Sequence, residues 1–246
     1  MKSDSITIYD LAREAGVSPA TVSRVLNNTA RVKQEKRDKV MALVQKYNFV
    51  PSAVAQGLTN KITKTIGVLM SDVRNPFYST LYVGIETAAS GCGYNTILCN
   101  ALNDPDIEYQ HLEMLESKNV DVILLLGGSA DDLEPSAEYG QLVQRIMQKT
   151  PIIFASEFNN FATCRLMMND RPGIEALMAY LVGLGHRRFA VIGGREEVSP
   201  TFSKRKTIRE ILERDGIPEG DSWVIDTPGY EVDDGYLIGK KLFKRP

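Results

Sequence analysis

Most of the residues that catalysis or metal binding would need are scarce in this chain. Three cysteines and two histidines are spread over 246 residues. Cys92, Cys99 and Cys164 are odd in number and far apart, and neither His111 nor His186 has a partner at ligand spacing. A disulfide framework and a metal site are therefore not expected, and reduced thiols of a cytoplasmic protein fit better. No apolar run is long enough to span a bilayer, and no leader of the secretory type opens the chain, so no membrane partner is expected. No GxSxG elbow occurs. Gly91 and Gly93 make GxG without a third glycine, and GYLIGKK from Gly235 is one residue short of a phosphate-binding loop. Repeats and low-complexity tracts are missing as well. These absences leave no catalytic constellation and no cofactor motif, so the chain is expected not to be an enzyme and to need no cofactor.

What is present is concentrated near the start, in TIYDLAREAGVSPATVSRVLNN from Thr7. Thr7 can cap a helix over Ile8 to Ala15, with Asp10 in its first turn. Gly16 permits a tight turn. Ser18 caps a second helix, and Pro19 suits its first position because that N–H has no intrahelical partner. Val22, Val25 and Leu26 then fall on one core-facing stripe. Two short helices joined by a glycine turn form a helix-turn-helix, whose second helix enters the major groove of DNA. Its leading residues Pro19 and Ala20, and Arg24 one turn on, would meet base edges. Arg24 has a fork suited to guanine O6 and N7, and Ala20 could touch a thymine methyl. Ser18, Thr21, Ser23, Asn27 and Arg31 are suited to phosphates, which set register without reading sequence. A plain three-helix bundle with a solvated charged face shares the core pattern. The order of cap, glycine turn, proline and arginine favours the DNA-binding reading.

A third helix over Gln34 to Tyr47 carries Val40, Leu43, Val44 and Tyr47 at helical spacing and reads as packing support. After it comes FVPSAVAQGL, whose Ser52 to Leu58 stretch is too short for a stable isolated helix and is expected to order on DNA. Charge divides in the same way. Residues 1–61 hold ten Lys/Arg against five Asp/Glu, a net +5, so the other 185 residues carry −7 of the overall −2. A basic head suits nucleic acid, and an acidic body is discouraged from sticking to it.

From Tyr9 to Leu58 the sequence resembles the N-terminal part of the lactose repressor and galactose repressor family of bacterial transcription factors. Tyr9, Ser18, Thr21, Val22, Ser23, Arg24, Asn27 and Leu58 fall where that family places DNA contacts or motif residues, and Pro19 and Ala20 occupy its variable reading positions. Phe49 and Ser52 depart from the Tyr and Asn more usual there. The resemblance implies a homodimer on a palindromic duplex operator, with two hinge helices containing Ala55 pairing across the dimer axis and Leu58 levered into a minor-groove step. An ordinary amphipathic linker with Leu58 packed on the body is the other reading.

From Thr65 short apolar runs alternate with amphipathic stretches, the pattern of a parallel α/β sheet. Strands are predicted at Thr65 to Met70, Asn95 to Asn100, Val122 to Leu126, Ile152 to Ala155, Leu166 to Met168, Phe189 to Ile192 and Trp223 to Ile225. Ligands of such sheets sit beyond the carboxyl ends of the strands, here the loops at 71–78, 127–131, 156–161 and 195–205. The stretches from Asp72 to Tyr78 and from Asp170 to Gly193 resemble the same family's effector domain, which is similar to periplasmic sugar-binding proteins. That resemblance implies Phe77 and Tyr78 stacking on a ligand ring, Glu157 accepting from hydroxyls, and Arg205 holding a sugar hydroxyl or an anionic group. Helix-start packing for the two aromatics and a solvated charge for Glu157 stay open. After Arg205 the chain has Ile208 and Arg209 where the family usually has a glycine and an aromatic.

The expected architecture is therefore an all-α helix-turn-helix head (1–50), a hinge and linker (51–64), and an α/β periplasmic-binding-protein-like body of doubly wound parallel sheets, divided into a first lobe (65–160) and a second lobe (161–246). Two lobes of ordinary size need on the order of 250 residues. The 185 available lead us to expect a shortened product with its second lobe incomplete. The expected function is a sequence-specific DNA-binding regulator, a repressor in kind, controlled by a small effector that is a sugar or phosphorylated sugar. A free sugar-binding protein would account only for the body and lacks the secretion signal. An enzyme on this fold lacks the residues.

Overall fold

A computed structural model describes residues 6–27, 32–47, 49, 62–155, 164–218, 222–227 and 229–243. The chain divides into two compact units, 1–63 and 64–246.

In the first unit, α1 (Ile8–Ala15) begins at Thr7 in a reciprocal capping box. The Thr7 hydroxyl accepts from Asp10 N at 3.3 Å, and the Asp10 carboxylate accepts from Thr7 N at 3.0 Å. Gly16 ends the helix in the left-handed region (φ 65°), and Val17 N closes the turn on Ala12 O at 3.0 Å. Next, α2 (Pro19–Asn27) starts under the Ser18 cap, with Thr21 N donating to Ser18 Oγ at 3.2 Å. Leu11, Ala12, Val22 and Val25 from these helices and Val40 from α3 (Gln34–Lys46) make the buried centre. Phe49 packs against the same centre. Glu14 ties α1 to the end of α3, accepting from Lys46 Nζ and from the Tyr47 hydroxyl, each at 2.8 Å.

In the second unit, β1 (Thr65–Met70), β2 (Asn95–Asn100), β3 (Val122–Leu126), β4 (Ile152–Phe154) and β5 (Cys164–Arg165) form a parallel sheet in the order β2-β1-β3-β4-β5. Its crossovers are α4 (Pro76–Gly91), α5 (Pro105–Ser117) and α6 (Ala137–Met147). Both faces are covered, as an all-parallel sheet requires. Leu112, Leu115, Tyr139, Val143 and Ile146 pack with Ile123, Leu125 and Phe154, while Val68, Met70 and Leu126 meet Leu81, Tyr82 and Ile85 of α4.

A second parallel sheet pairs β6 (Phe189–Ile192) with β7 (Ser222–Ile225). Among the helices around it are α7 (Arg171–Gly183), α8 (Ser199–Arg214) and α9 (Val232–Leu242). Its core joins Met178, Ile211, Leu212 and Ile217. Among the described residues, no helix is long and apolar enough to cross a membrane.

Two expectations need correction. The strand predicted at Leu166 to Met168 lies earlier, at Cys164–Arg165, because the ladder on short β4 pairs Ile153 with Cys164 and Phe154 with Arg165 and ends when Leu166 N reaches Phe154 O. Met167 and Met168 are exposed beyond it. The first sheet thus takes in β5 at Cys164–Arg165 as its last strand. The loop expected to extend through Arg205 stops at Val198, since Ser199 and Pro200 start α8, and Arg205 stands in the second turn of that helix.

Candidate nucleic-acid interface and effector site

The packing of the first unit decides which side of α2 faces outward. Val22 and Val25 turn into the core, which leaves Ala20 and Arg24, one helical turn apart, exposed on the same face. Ser18 is exposed at the head of that face. Its hydroxyl is shared with the Thr21 hydroxyl at 2.9 Å, so the two form a cap and a polar edge together. Pro19, Thr21 and Ser23 are half-buried, and Asn27 is the last residue of the helix. On α1, Tyr9 is 68% exposed. Arg31, Ala55 and Leu58 lie outside the described residues. An arginine on the open face of a short helix whose leading turn is free of bulky side chains can enter a groove and present its fork to a base edge.

In the second unit the functional candidates sit at the carboxyl ends of the strands. After β1 come Ser71 and Asp72, both buried. Asp72 accepts from Arg74 N at 2.9 Å and from Arg74 Nε at 3.0 Å, and the Arg74 guanidinium holds its carboxyl below the usual carboxylate range. Asn75 caps α4 by accepting from Phe77 N at 3.0 Å, and Pro76 fills the first turn. This start aims Phe77 outward, 48% exposed, and turns Tyr78 inward, with ring centroids 5.2 Å apart edge to face. Burial and the charge of Asp131 push the Tyr78 phenol up to about 12.

After β3 the chain turns at Gly127 (φ 81°, ψ −158°) into a single 3-10 turn, Gly128–Asp131. A Cβ at Gly127 would stand 2.6 Å from Ser71 Oγ and closer still to the Tyr78 hydroxyl, so only glycine lets these loops meet. The turn is fastened from behind. Glu108 of α5, 3% exposed, accepts from Ser129 N and Ser129 Oγ at 2.9 Å each. Burial raises the Glu108 carboxyl above its ordinary value, and burial with the Glu108 charge raises its neighbour Tyr139. From the end of this turn, Asp132 bridges Val198, and Leu133 N donates to Glu197 O at 2.8 Å, which links the first lobe to the loop after β6.

Arg205 is 2% exposed. Its Nη2 donates to Gly193 O and Gly194 O at 3.1 and 3.2 Å, and its Nη1 donates to Asp226 Oδ1 at 2.6 Å. It therefore fastens the loop after β6 to the loop after β7. Glu196 takes both Arg209 nitrogens at 2.8 and 3.1 Å, and Arg209 holds its carboxyl low. Thr227 accepts from Gly194 N at 2.8 Å, and Tyr230 meets Thr201 hydroxyl to hydroxyl. Glu157 lies outside the described residues. Sequence reasoning brought Phe77, Tyr78 and Arg205 to these strand ends and placed Ser71, Asp72 and Gly127 in the cleft loops without a role, but missed Glu108 and Asp226. Of these two, Glu108 had a local sign, as a carboxylate on the same helical stripe as Leu112 and Leu115.

Both parts of the chain match known families. Residues 7–52 match the model of bacterial regulatory proteins of the lacI family, and residues 63–245 match that of periplasmic binding proteins and sugar binding domain of LacI family. Catabolite control protein A of Staphylococcus aureus is 34% identical over 242 residues, covering 98% of this chain and 70% of that protein. Catabolite control protein A of Staphylococcus xylosus is 37% identical over 191 residues, covering 77% of this chain and 56% of that protein. Among solved structures, the lac repressor dimer bound to operator and the anti-inducer ONPF superposes with a TM-score of 0.78 at 22% identity, covering 98% of this chain and 70% of that one. A transcriptional regulator in complex with cellobiose gives 0.57 at 22% identity, covering 97% and 70%. The structural likenesses concern the fold, and the family models cover head and body in order along one chain. The protein belongs to the LacI family of bacterial regulatory proteins and is a DNA-binding transcriptional regulator.

Proposed function

We propose that the chain is a repressor that grips a palindromic operator as a homodimer and changes its operator affinity when a sugar occupies the carboxyl ends of the body's strands. Arg24 reads a base in each half-site from α2, with Pro19 and Ala20 shaping the approach. Tyr9, Ser18, Thr21, Ser23, Asn27 and Arg31 hold phosphates, and Ala55 and Leu58 act from the hinge. The observation that carries this reading is the open face of α2, where Ala20 and Arg24 are exposed while Val22 and Val25 are buried. The solved relatives support the partners: one is a dimer on operator DNA, and others hold cellobiose or ribose. In the body, Phe77 and Tyr78 offer ring faces and Glu157 offers an acceptor. Arg205 orders the loops around the ligand.

The test is selection of bound duplexes from a random pool, followed by footprinting with and without a panel of sugars. Wild type should enrich an inverted repeat, and at least one sugar should change its affinity. An Arg24→Ala protein that enriches the same repeat with the same stringency would remove Arg24 from the reading role.

A further inference from the structure

The turn after β3 is a place where the two lobes of the body meet through their backbones. Past Gly128–Asp131, Asp132 bridges Val198 and Leu133 N donates to Glu197 O at 2.8 Å. The two sides of this contact are fixed differently. On the second lobe Arg205 ties Gly193 and Gly194, Arg209 holds Glu196 through two nitrogens, and Val198 leads into α8. On the first lobe the turn rests on Glu108 of α5. Both Ser129 donors end on its Oε2, and a Cβ at Gly128 (φ 78°) would stand 2.6 Å from that oxygen, so carboxyl and backbone press directly on each other.

A carboxyl only 3% exposed is held at little cost while it is neutral and at a large one when it is charged. The Tyr139 phenol faces Glu108 from α6, with the Tyr109 ring of α5 5.7 Å from its own, and the turn brings two more carboxylates, Asp131 and Asp132. From the second lobe, Arg195 and Glu197 act on Asp132 with opposite signs. Burial is the largest influence on Glu108 and outweighs the Ser129 donors, so its carboxyl is raised and the seated turn favours the proton. Once ionised, the group needs water. Leu112 and Leu115 lock α5 into the first lobe's core, and Val143 and Ile146 lock α6. The turn is four residues long and runs out to Leu133, 44% exposed. Lifting the turn therefore hydrates Glu108 with the least loss of packing.

We propose that Glu108 is the proton-controlled catch of a latch between the lobes. Protonated, it seats the turn and keeps Asp132 and Leu133 paired with Val198 and Glu197; ionised, it lets the turn lift and the pairing part. The turn lies at the strand ends, so the control this gives over effector binding rests on the sugar-effector reading above, while the latch itself involves no ligand. The lifted turn leaves Glu108 at its ordinary value and the seated turn at a raised one. The latch is therefore most firmly seated below the ordinary value, and its seating constant falls about tenfold per pH unit until the raised value is passed.

The experiment is hydrogen–deuterium exchange of the full chain from acid to mildly alkaline pH, without sugar, each rate corrected for chemical exchange at that pH. It reads the Ser129 and Leu133 amides against those of Ile123 and Leu125 in β3. In wild type the protection of Ser129 and Leu133 should fall together by about tenfold per pH unit over part of the range, while β3 stays protected. Glu108→Gln should flatten that profile. Tyr139→Phe, which removes a group that favours the charged carboxyl, should carry the fall to higher pH, and this keeps the latch testable if the glutamine variant does not fold. Equal pH profiles in wild type and Glu108→Gln overturn the latch, and so does a fall at Ser129 with Leu133 still protected, or a fall shared by β3. The sugar panel decides the sugar reading and exchange is run without sugar, so the two fail separately.

Discussion

Replacing Glu108 tests whether the turn at the strand ends is held from behind. In Glu108→Ala the Ser129 N–H and Ser129 hydroxyl both lose an acceptor they now have at 2.9 Å in a buried site. A buried donor left unmade costs about 1 to 3 kcal/mol, so the pair, less the relief of no longer burying a carboxylate, gives a net loss of about 2 to 4 kcal/mol. Glu108→Gln keeps an oxygen for Ser129 and removes the charge, so it should stay within about 1 kcal/mol of wild type near neutral pH. Burial raises the folded-state carboxyl above its ordinary 4.5, so proton binding favours the native form. That stabilisation is complete below the unfolded value and disappears as pH climbs through the raised folded one. The stability of wild type relative to Glu108→Gln should therefore fall as pH rises from the ordinary carboxylate range through the raised folded value. Urea unfolding followed by circular dichroism at several pH values measures both effects. An alanine variant within about 0.5 kcal/mol of wild type, or a glutamine variant as damaged as alanine, would refute the argument.

How far the sequence was legible depended on whether the information was local. The helices of the head follow from caps, a glycine turn and 3.6-residue spacing, all within a few positions of one another, and Ile8–Ala15 and Pro19–Asn27 formed where those signals stand. The central strands were legible because strands buried on both faces are short apolar runs. The edge was not. Leu166 to Met168 is as apolar as a strand, but pairing is set by the length of β4 across the sheet, so the ladder took Cys164 and Arg165 instead. Arg205 shows the same limit at the site. Nothing near it in the chain reveals that Gly193, Gly194 and Asp226, up to 21 positions away, converge on its guanidinium, and only the packing of α8 under two parallel strands does so. Glu108 falls between these cases, since its place on an apolar stripe marks it as a buried carboxylate while its partner Ser129 is supplied by the fold.

Arg24→Ala should weaken operator binding by about 1 to 3 kcal/mol and relax preference at one position per half-site, measured by titrating operator variants; equal losses on all sequences would make it a phosphate contact instead. Gly127→Ala should lower body stability by about 2 to 4 kcal/mol in urea unfolding, since it forces a side chain at φ 81° against Ser71 and Tyr78; an unchanged midpoint would show that the loops yield without strain. The last prediction uses the separate cores of the two units. Leu11 is fully buried among Ala12, Val22, Val25 and Val40, and truncating such a leucine to alanine costs about 2 to 5 kcal/mol. A head of this size has a total stability of the same order, at roughly 0.05 to 0.15 kcal/mol per residue. Leu11→Ala should therefore unfold the head and abolish operator binding. The body's core around Leu112, Leu125 and Phe154 contains no residue of the head, and its unfolding transition should survive. Calorimetry of the full chain with a parallel DNA titration reads both, and operator affinity that persists in this variant would show that the head does not depend on its own core.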